Sequence, residues 1–148
     1  MIDAALREVL AQKSQRLQRA VARARAEWRA SPDPAHDFTH QDAALLNVQR
    51  ACEQAIDMAN LICSAHGWAL PEGARAAFHE LAQHGWIDAP LADALGRMVA
   101  FRNILVHEYE ALDLGIAQHV IDHHLDDLLR FAAVVLQRAL PTPSPSAP

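Results

Sequence analysis

Side chains able to take part in acid–base and phosphate chemistry lie close together in the segment Phe101-Arg-Asn-Ile-Leu-Val-His-Glu-Tyr109. The imidazole of His107 can accept or release a proton near neutral pH. The guanidinium of Arg102 can neutralise negative charge that develops on a phosphorane, and the amide of Asn103 can orient either group. These residue types suit the cleavage of a phosphodiester, and none of the steps needs a metal or another cofactor.

The segment lies at the end of a predicted fourth helix. Asp88 is a suitable N-cap with Pro90 in the first turn, and apolar residues recur at helical spacing to about Tyr109. On this helix Arg102 and His107 are about 140° apart around the axis and roughly 7.5 Å apart along it, so one chain does not place them side by side. A two-fold axis beside the helix would bring two arginines and two histidines into one cleft, which each protomer only half supplies.

Small residues on the helix face that carries Asn103 and His107 predict a close approach to the backbone. Gly96 is the clearest of them, because glycine inside a helix costs up to ~1 kcal/mol relative to alanine. Ala92 and Ala100 continue the same face. The space suits either a second copy of this helix or a substrate.

The remaining sequence is interpreted as a scaffold for this helix. A chain of 148 residues with 51% hydrophobic and 5% aromatic residues favours one all-α domain. We expect an up-and-down bundle of four to five helices over residues 1–140, with a disordered Pro/Ser tail at 141–148. With no signal peptide or membrane span evident, we expect a cytoplasmic protein. Five helices are predicted. The first extends from Ile2 to Trp28, the second from a Thr39–Asp42 capping box to His66-Gly67, and a short third through Ala77 and Leu81 to His84-Gly85. The fourth begins at Asp88, and the fifth extends from Asp113 to Ala139.

Arginines supply local positive charge in a chain whose formal net charge is −5. Arg16, Arg19 and Arg23 lie on one flank of the first helix, beside an apolar stripe that includes Val9 and Leu10. A solvated face is the simpler interpretation of this cluster. A surface that follows a phosphate backbone is the alternative.

Two other groups of side chains are interpreted as structural. Cys52 and Cys63 lie roughly 16 Å apart on one helix, too far for a disulfide, which predicts reduced and buried thiols. His119 and His123 have the spacing of metal ligands, but with Asp126 they lie opposite the apolar stripe of the fifth helix. No Cys or Glu partner is near them, so we predict no metal site, and a helical metalloprotein remains the alternative.

The arrangement Arg-Asn-three residues-His-one residue-Tyr at a helix end resembles the HEPN superfamily, and within it the HepT toxins. The resemblance extends to about Leu140. Its further matching residues are Ala55-Ile-Asp57 and Ala59 in the second helix, Pro71 before the third, and Phe101-Arg-Asn103 with Leu105-Val-His107-Glu-Tyr109 in the fourth.

The resemblance implies a homodimer formed around the fourth helix, with metal-independent endoribonuclease activity on tRNA or mRNA. Arg102 and His107 would be catalytic, Asn103 would support them, and the RNA 2′-OH would attack to leave a cyclic phosphate. A nucleotidyltransferase-fold antitoxin, MntA, would adenylylate Tyr109 and could hold the dimer in a larger assembly. A non-catalytic helical partner of a nucleotidyltransferase is the alternative. Candidate RNA contacts are Arg16, Arg19, Arg23 and Arg97.

Overall fold

The computed structural model describes residues 2–69 and 72–140, and these form helices with no strand. The all-α prediction is therefore confirmed. The first long helix packs along the second and also contacts the last helix, while the second packs on the third and the fourth. No helix of the described residues has the length and hydrophobicity needed to cross a membrane. The α-helices are α1 (Ala4–Ala30), α2 (Phe38–Ala65), α3 (Ala74–Gln83), α4 (Ala89–His107), α5 (Leu114–His119) and α6 (Leu125–Ala139).

Aspartate side chains begin most of these helices by accepting otherwise unpaired backbone N–H groups. Asp88 accepts from the amide of Leu91 at 2.8 Å, which confirms the predicted start of α4. The predicted Thr39–Asp42 capping box is wrong. The N-cap is Asp37, whose side chain accepts from the amide of His40 at 3.2 Å, and α2 begins at the residue after this cap, Phe38. The carboxylate of Asp42 lies beyond this cap and is available for another contact.

Glycines end α2 and α3 as predicted. Gly67 and Gly85 have φ values of +66° and +76°, a left-handed conformation that glycine adopts without strain. The amide of Trp68 then bonds the carbonyl of Cys63, and the chain turns out of the helix. The Trp68 ring stacks between the imidazoles of His66 and His84. Pro71, part of the resemblance, lies outside the described residues, as do Met1, Leu70 and the predicted tail at 141–148.

The buried core follows the predicted apolar stripes over most of their length, but Val9 on α1 is exposed and Ile104 on α4 is only half-buried. Val9 is 37% exposed, whereas its neighbour Leu10 is fully buried, so the stripe of α1 is narrower than the periodicity predicts. Cys52 and Cys63 are both buried and free, which confirms the prediction of two thiols. The apolar residues that recur at helical spacing along α2 are all buried, and they are Leu45, Cys52, Ile56, Ala59 and Cys63.

The predicted fifth helix is not uniform along its length. It consists of α5, a π-helical turn at Val120–His124 and α6. The amide of Leu125 bonds the carbonyl of Val120, one residue further back than in an α-helix. The wider turn buries Val120 and Ile121 together against the bundle. Asp113 caps this run at its start, as predicted.

Candidate active site and its surroundings

The C-terminal half of α4 is anchored by apolar side chains on one face. Met98, Phe101 and Leu105 are buried, while Ile104 is only half-buried at the edge of the core. With this face fixed, Arg102 is half-buried and Asn103 is exposed. The packing of the helix therefore determines which polar groups of the segment reach solvent.

Arg102 is held by its sequence neighbour rather than by a carboxylate. Its Nη1 donates a hydrogen bond to Oδ1 of Asn103 at 2.9 Å. Its buried Nε has no hydrogen-bond partner, and the guanidinium makes no salt bridge within residues 2–69 and 72–140. Burial raises the pKa of the nearby Cys52 thiol to about 12, and the positive charge of Arg102 partly opposes that rise. The guanidinium is thus oriented by an amide and has no carboxylate partner in the described chain.

His107 is the last residue of α4, and its side chain is exposed. In the described part of the chain no hydrogen bond connects it to Arg102 or to Asn103. One chain therefore presents Arg102 with Asn103 on one side and His107 separately at the helix end. Because α4 is helical through His107, the helix geometry on which the predicted separation rests applies here.

Tyr109 lies just beyond α4, not within it as the sequence predicted. The backbone leaves the helical region at Glu108, with φ −138° and ψ 38°, and Tyr109–Ala111 form a 3₁₀ turn. The ring is 36% exposed, and its hydroxyl donates to a carboxylate oxygen of Asp42 on α2 at 2.5 Å. Burial, and then the hydrogen bond and charge of Asp42, raise the pKa of Tyr109 well above its ordinary value. Asp42 was missed because its position suggested a helix cap.

The space beside Gly96 is filled by this chain itself. A Cβ at position 96 would lie 2.7 Å from Nε of Arg75, whose side chain crosses over the glycine from α3. The prediction that Gly96 leaves room for a second helix or a substrate is therefore wrong. The physical reason for the error is that Gly96 leaves room for the side chain of Arg75 from the neighbouring helix.

An apolar groove lies beside the C-terminal half of α4, next to its buried face. Ala100 and Ile104 line it together with Ile116 of α5, and it has a volume of about 260 Å³. Ile116 is 54% exposed, which is unusual for an isoleucine. The imidazoles of His119 and His124 lie at its rim. This surface, and not Gly96, is the part of α4 that suits a close apolar partner.

The three arginines predicted on one flank of α1 do lie together. Arg16, Arg19 and Arg23 line a groove of about 300 Å³, and Arg50 of α2 completes it. Asn47 and Gln54 lie between them, and we call this surface the arginine groove. Sequence reasoning missed Arg50 because only packing brings α2 beside this flank of α1. Arg97 is not part of it and lines a separate groove of about 600 Å³ with Arg75, His79 and Asp93.

The carboxylates near His119 and His123 have other partners. Asp126 forms a 2.8 Å ion pair with Arg25 of α1, and Asp122 accepts a hydrogen bond from Gln118. The rings of His119 and His123 are 4.7 Å apart. Across residues 2–69 and 72–140, no group of three or more His, Cys, Asp or Glu side chains is arranged to hold a metal ion.

A helical bundle with arginine, asparagine and histidine at the end of its fourth helix has the architecture of a HEPN protein. The family described as ribonuclease HepT-like matches residues 11–135. The mRNA nuclease HepT of Shewanella oneidensis is 38% identical over 130 residues, which cover 88% of this chain and 98% of the relative. The chain belongs to the HepT-like ribonuclease family.

Solved structures agree with this assignment. The tri-AMPylated HEPN toxin of Shewanella oneidensis, in complex with its MNT antitoxin, matches with a TM-score of 0.81 at 38% identity, over 86% of this chain and 96% of that one. A cytosolic protein of unknown function from Bacillus subtilis, YutE, matches with a TM-score of 0.76 over 93% of this chain and 90% of that one. At 17% identity, the second match supports the fold alone.

Proposed function

We propose that this protein is a ribonuclease toxin that cleaves RNA without a metal, acts as a homodimer, and is neutralised when a nucleotidyltransferase antitoxin adenylylates Tyr109. The observation that carries the proposal is the guanidinium of Arg102, which Asn103 holds at 2.9 Å and no carboxylate neutralises in the described chain. The exposed His107 lies at the end of the same helix. The name of the Shewanella relative, an mRNA nuclease, supports the activity and favours mRNA over tRNA as the substrate.

The chemistry follows from the three side chains. The imidazole of His107 moves the proton of the attacking 2′-OH or of the leaving 5′-oxygen, the role that histidine most often has in general acid–base catalysis. The guanidinium of Arg102 stabilises the negative charge that develops on the non-bridging oxygens. Because Asn103 limits the rotation of the Arg102 side chain, less conformational entropy is lost when this side chain binds RNA. The products are a 2′,3′-cyclic phosphate and a 5′-hydroxyl, and the steps need no metal.

A dimer supplies what one chain lacks. No hydrogen bond joins Arg102 to His107 in the described chain, and a second copy of α4 would bring an arginine opposite a histidine. The apolar groove at Ala100, Ile104 and Ile116 supports such an interface, because it exposes apolar surface next to the motif. Symmetry would then create two equivalent Arg–His pairs in one cleft.

RNA would reach the cleft along local positive charge, since the formal net charge of the chain is −5. The arginine groove concentrates four guanidinium groups at the α1–α2 surface, which suits a phosphate backbone. Arg97 lies on α4 itself and is the candidate contact closest in sequence to Arg102. Both surfaces are exposed in the protomer.

The partner of this toxin would be a nucleotidyltransferase of the MNT type. The tri-AMPylated relative in complex with its MNT antitoxin supports this pairing. AMP on Tyr109 would place bulk and negative charge two residues from His107 and so repel RNA. Because RNA and nucleoside triphosphates are the reactants, we place the protein in the cytoplasm.

The activity can be tested with purified protein and a structured mRNA fragment in the presence of EDTA. We expect cleavage by the wild type and losses of about 10²- to 10⁴-fold for His107→Ala and Arg102→Ala, the range for lost acid–base or charge stabilisation. His123→Ala, which removes another exposed histidine, is the matched control and should keep wild-type activity. Cleavage by His107→Ala at the wild-type rate would exclude the catalytic assignment. Adenylylation of Tyr109 without any RNA cleavage by the wild type would identify a non-catalytic partner of the nucleotidyltransferase instead.

A further inference from the structure

Within the described residues Asp42 has one partner, and it is the residue proposed to be modified. Its carboxylate neither caps a helix nor forms a salt bridge in the part of the chain that the structure describes. The hydrogen bond that it accepts is the one from the hydroxyl of Tyr109. A carboxylate with no other partner in the described chain, hydrogen-bonded to the only tyrosine hydroxyl of the protein, suggests a role in the chemistry of that hydroxyl.

The proton of Tyr109 is the obstacle to its modification at neutral pH. A phenol is a weak nucleophile until it loses its proton, and here burial and Asp42 both raise the pKa of Tyr109. Phenolate is therefore not available beforehand, and the proton must leave while the new bond forms. A base acts in this way only if it is within hydrogen-bond distance of the proton. Asp42 already meets that condition in the unmodified protein.

We infer that Asp42 is the proton acceptor for adenylylation of Tyr109, so that the toxin itself supplies a catalytic group for its own neutralisation. This inference rests on the proposed function of Tyr109. In the step, Oη of Tyr109 attacks the α-phosphorus of a nucleoside triphosphate bound to the antitoxin. The bond between Oη and phosphorus forms, the bond to pyrophosphate breaks, and the proton of Oη passes to the carboxylate of Asp42.

The same geometry has a consequence for the product. Once Oη carries a phosphoryl group it has no proton to donate, and the new phosphodiester is negatively charged. After Asp42 releases the accepted proton to solvent, its carboxylate faces a like charge instead of a donor, and repulsion turns the modified ring away from α2. The nucleotide would thus move out from the α2 surface once it is attached.

The first AMP addition should depend on Asp42, whereas any later addition should not. The chain has a single tyrosine, so AMP units that extend the first would attach through a ribose hydroxyl of the nucleotide already present. That hydroxyl is not held by Asp42. Loss of the Asp42 carboxylate should therefore slow the first addition and leave later additions at their wild-type rate.

The test is an intact-mass time course of full-length toxin with an MNT-type antitoxin and ATP, at several pH values between 6 and 9. Asp42→Asn should reduce the rate of the first addition about 10²-fold or more, and this rate should rise with pH as hydroxide replaces the lost base. Asp57→Asn is the matched control: Asp57 is also exposed on α2, but it pairs with Lys13 of α1 at 3.3 Å. It should react within twofold of wild type.

Two further variants make the result specific. Asp42→Ala should regain part of the rate when formate is added as a replacement carboxylate, which a purely structural role would not predict. Tyr109→Phe should accept no AMP. Thermal unfolding of each variant near the wild-type temperature establishes that the fold is retained.

The outcomes are distinguishable. If the Asp42→Asn variant accepts its first AMP at the wild-type rate and with the wild-type pH profile, the inference is overturned and the proposed function stays intact. The inference is also overturned if the first addition to Asp42→Asn is slow but independent of pH and formate does not restore the rate of Asp42→Ala. That result would assign Asp42 a role in docking the antitoxin. Wild-type protein that accepts no AMP would overturn the proposed neutralisation, and this inference with it.

Discussion

The hydroxyl of Tyr109 donates a hydrogen bond to the carboxylate of Asp42, across 67 residues of sequence. The contact joins the 3₁₀ turn after α4 to the first turns of α2. It fixes the tyrosine ring beside the exposed end of α4, where His107 lies. The group proposed for regulation and the group proposed for catalysis are therefore positioned by the same helix end.

The Tyr109–Asp42 contact predicts an unusual titration of the tyrosine. Burial first, and then Asp42, keep the phenol neutral, so the folded protein should ionise Tyr109 well above the ordinary value of about 10. Absorbance near 295 nm reports this directly, because the chain has a single tyrosine. Asp42→Asn should move the transition only part of the way towards 10, since burial remains. A native transition at pH 10, equal to that of the urea-unfolded protein, would contradict the prediction.

The same shift predicts how stability depends on pH. The folded-state pKa of Tyr109 is raised above the unfolded value. The neutral phenol therefore contributes stability that is fully present below about pH 10 and is lost as pH rises through the folded-state value. Urea unfolding of wild type and Tyr109→Phe at pH 8 and above pH 10 measures this. The stability difference between the two proteins should shrink at the higher pH.

The arginine groove predicts the salt dependence of RNA binding. Arg50→Ala should weaken binding of single-stranded RNA and reduce the slope of log K against log salt by about 0.7, the value for one phosphate contact. Arg29→Ala, an exposed arginine on another face of α1, is the control and should leave the slope unchanged. The measurement is fluorescence anisotropy at several salt concentrations, in a His107→Ala background that does not cleave the RNA. Equal slopes for Arg50→Ala and the parent would exclude this groove as a binding surface.

The apolar groove predicts where the dimer can be broken. Ile116→Asp places a charge on apolar surface that a partner would bury, and should convert the protein to monomers in light scattering after size exclusion. RNA cleavage should fall with the loss of the dimer, although Arg102 and His107 are intact. Val9→Asp changes an exposed apolar residue on α1 and should remain dimeric. A dimeric and active Ile116→Asp protein would move the interface elsewhere.

A site shared between protomers also predicts complementation. Arg102→Ala and His107→Ala are each inactive, but a mixed dimer contains one intact Arg–His pair if the arginine acts with the histidine of the partner. After unfolding and refolding together in equal amounts, about half of the dimers are mixed and half of their sites are complete, so about one quarter of the wild-type rate should return. If each protomer formed its own site, no activity would return.

Much of the fold could be predicted from local sequence. The apolar periodicities, the Asp88 and Asp113 caps and the glycines at 67 and 85 each act within one or two turns, so they fixed helix order and helix ends. The segment around Arg102 could be selected for the same reason, because its residue types and spacing are local. Helix interiors were predicted better than boundaries, as the errors at Asp42 and Tyr109 show.

The other errors concern contacts between segments that are distant in sequence. Gly96 suggested a vacant face, but whether Arg75 crosses it depends on how α3 packs against α4. Arg50 joined the arginines of α1 only because α2 lies beside them. Periodicity describes each helix by itself and carries no information about which neighbour fills a given space.

The sequence by itself determined an all-α protein, its helix order and the arginine, asparagine and histidine at the end of α4, because hydrophobic spacing, caps and residue chemistry are properties of short segments. The tertiary structure decided that Asp42 meets Tyr109, that Arg75 covers Gly96 and that four arginines share one groove. These pairings depend on how helices pack against one another, and that is set by the shape of the whole core.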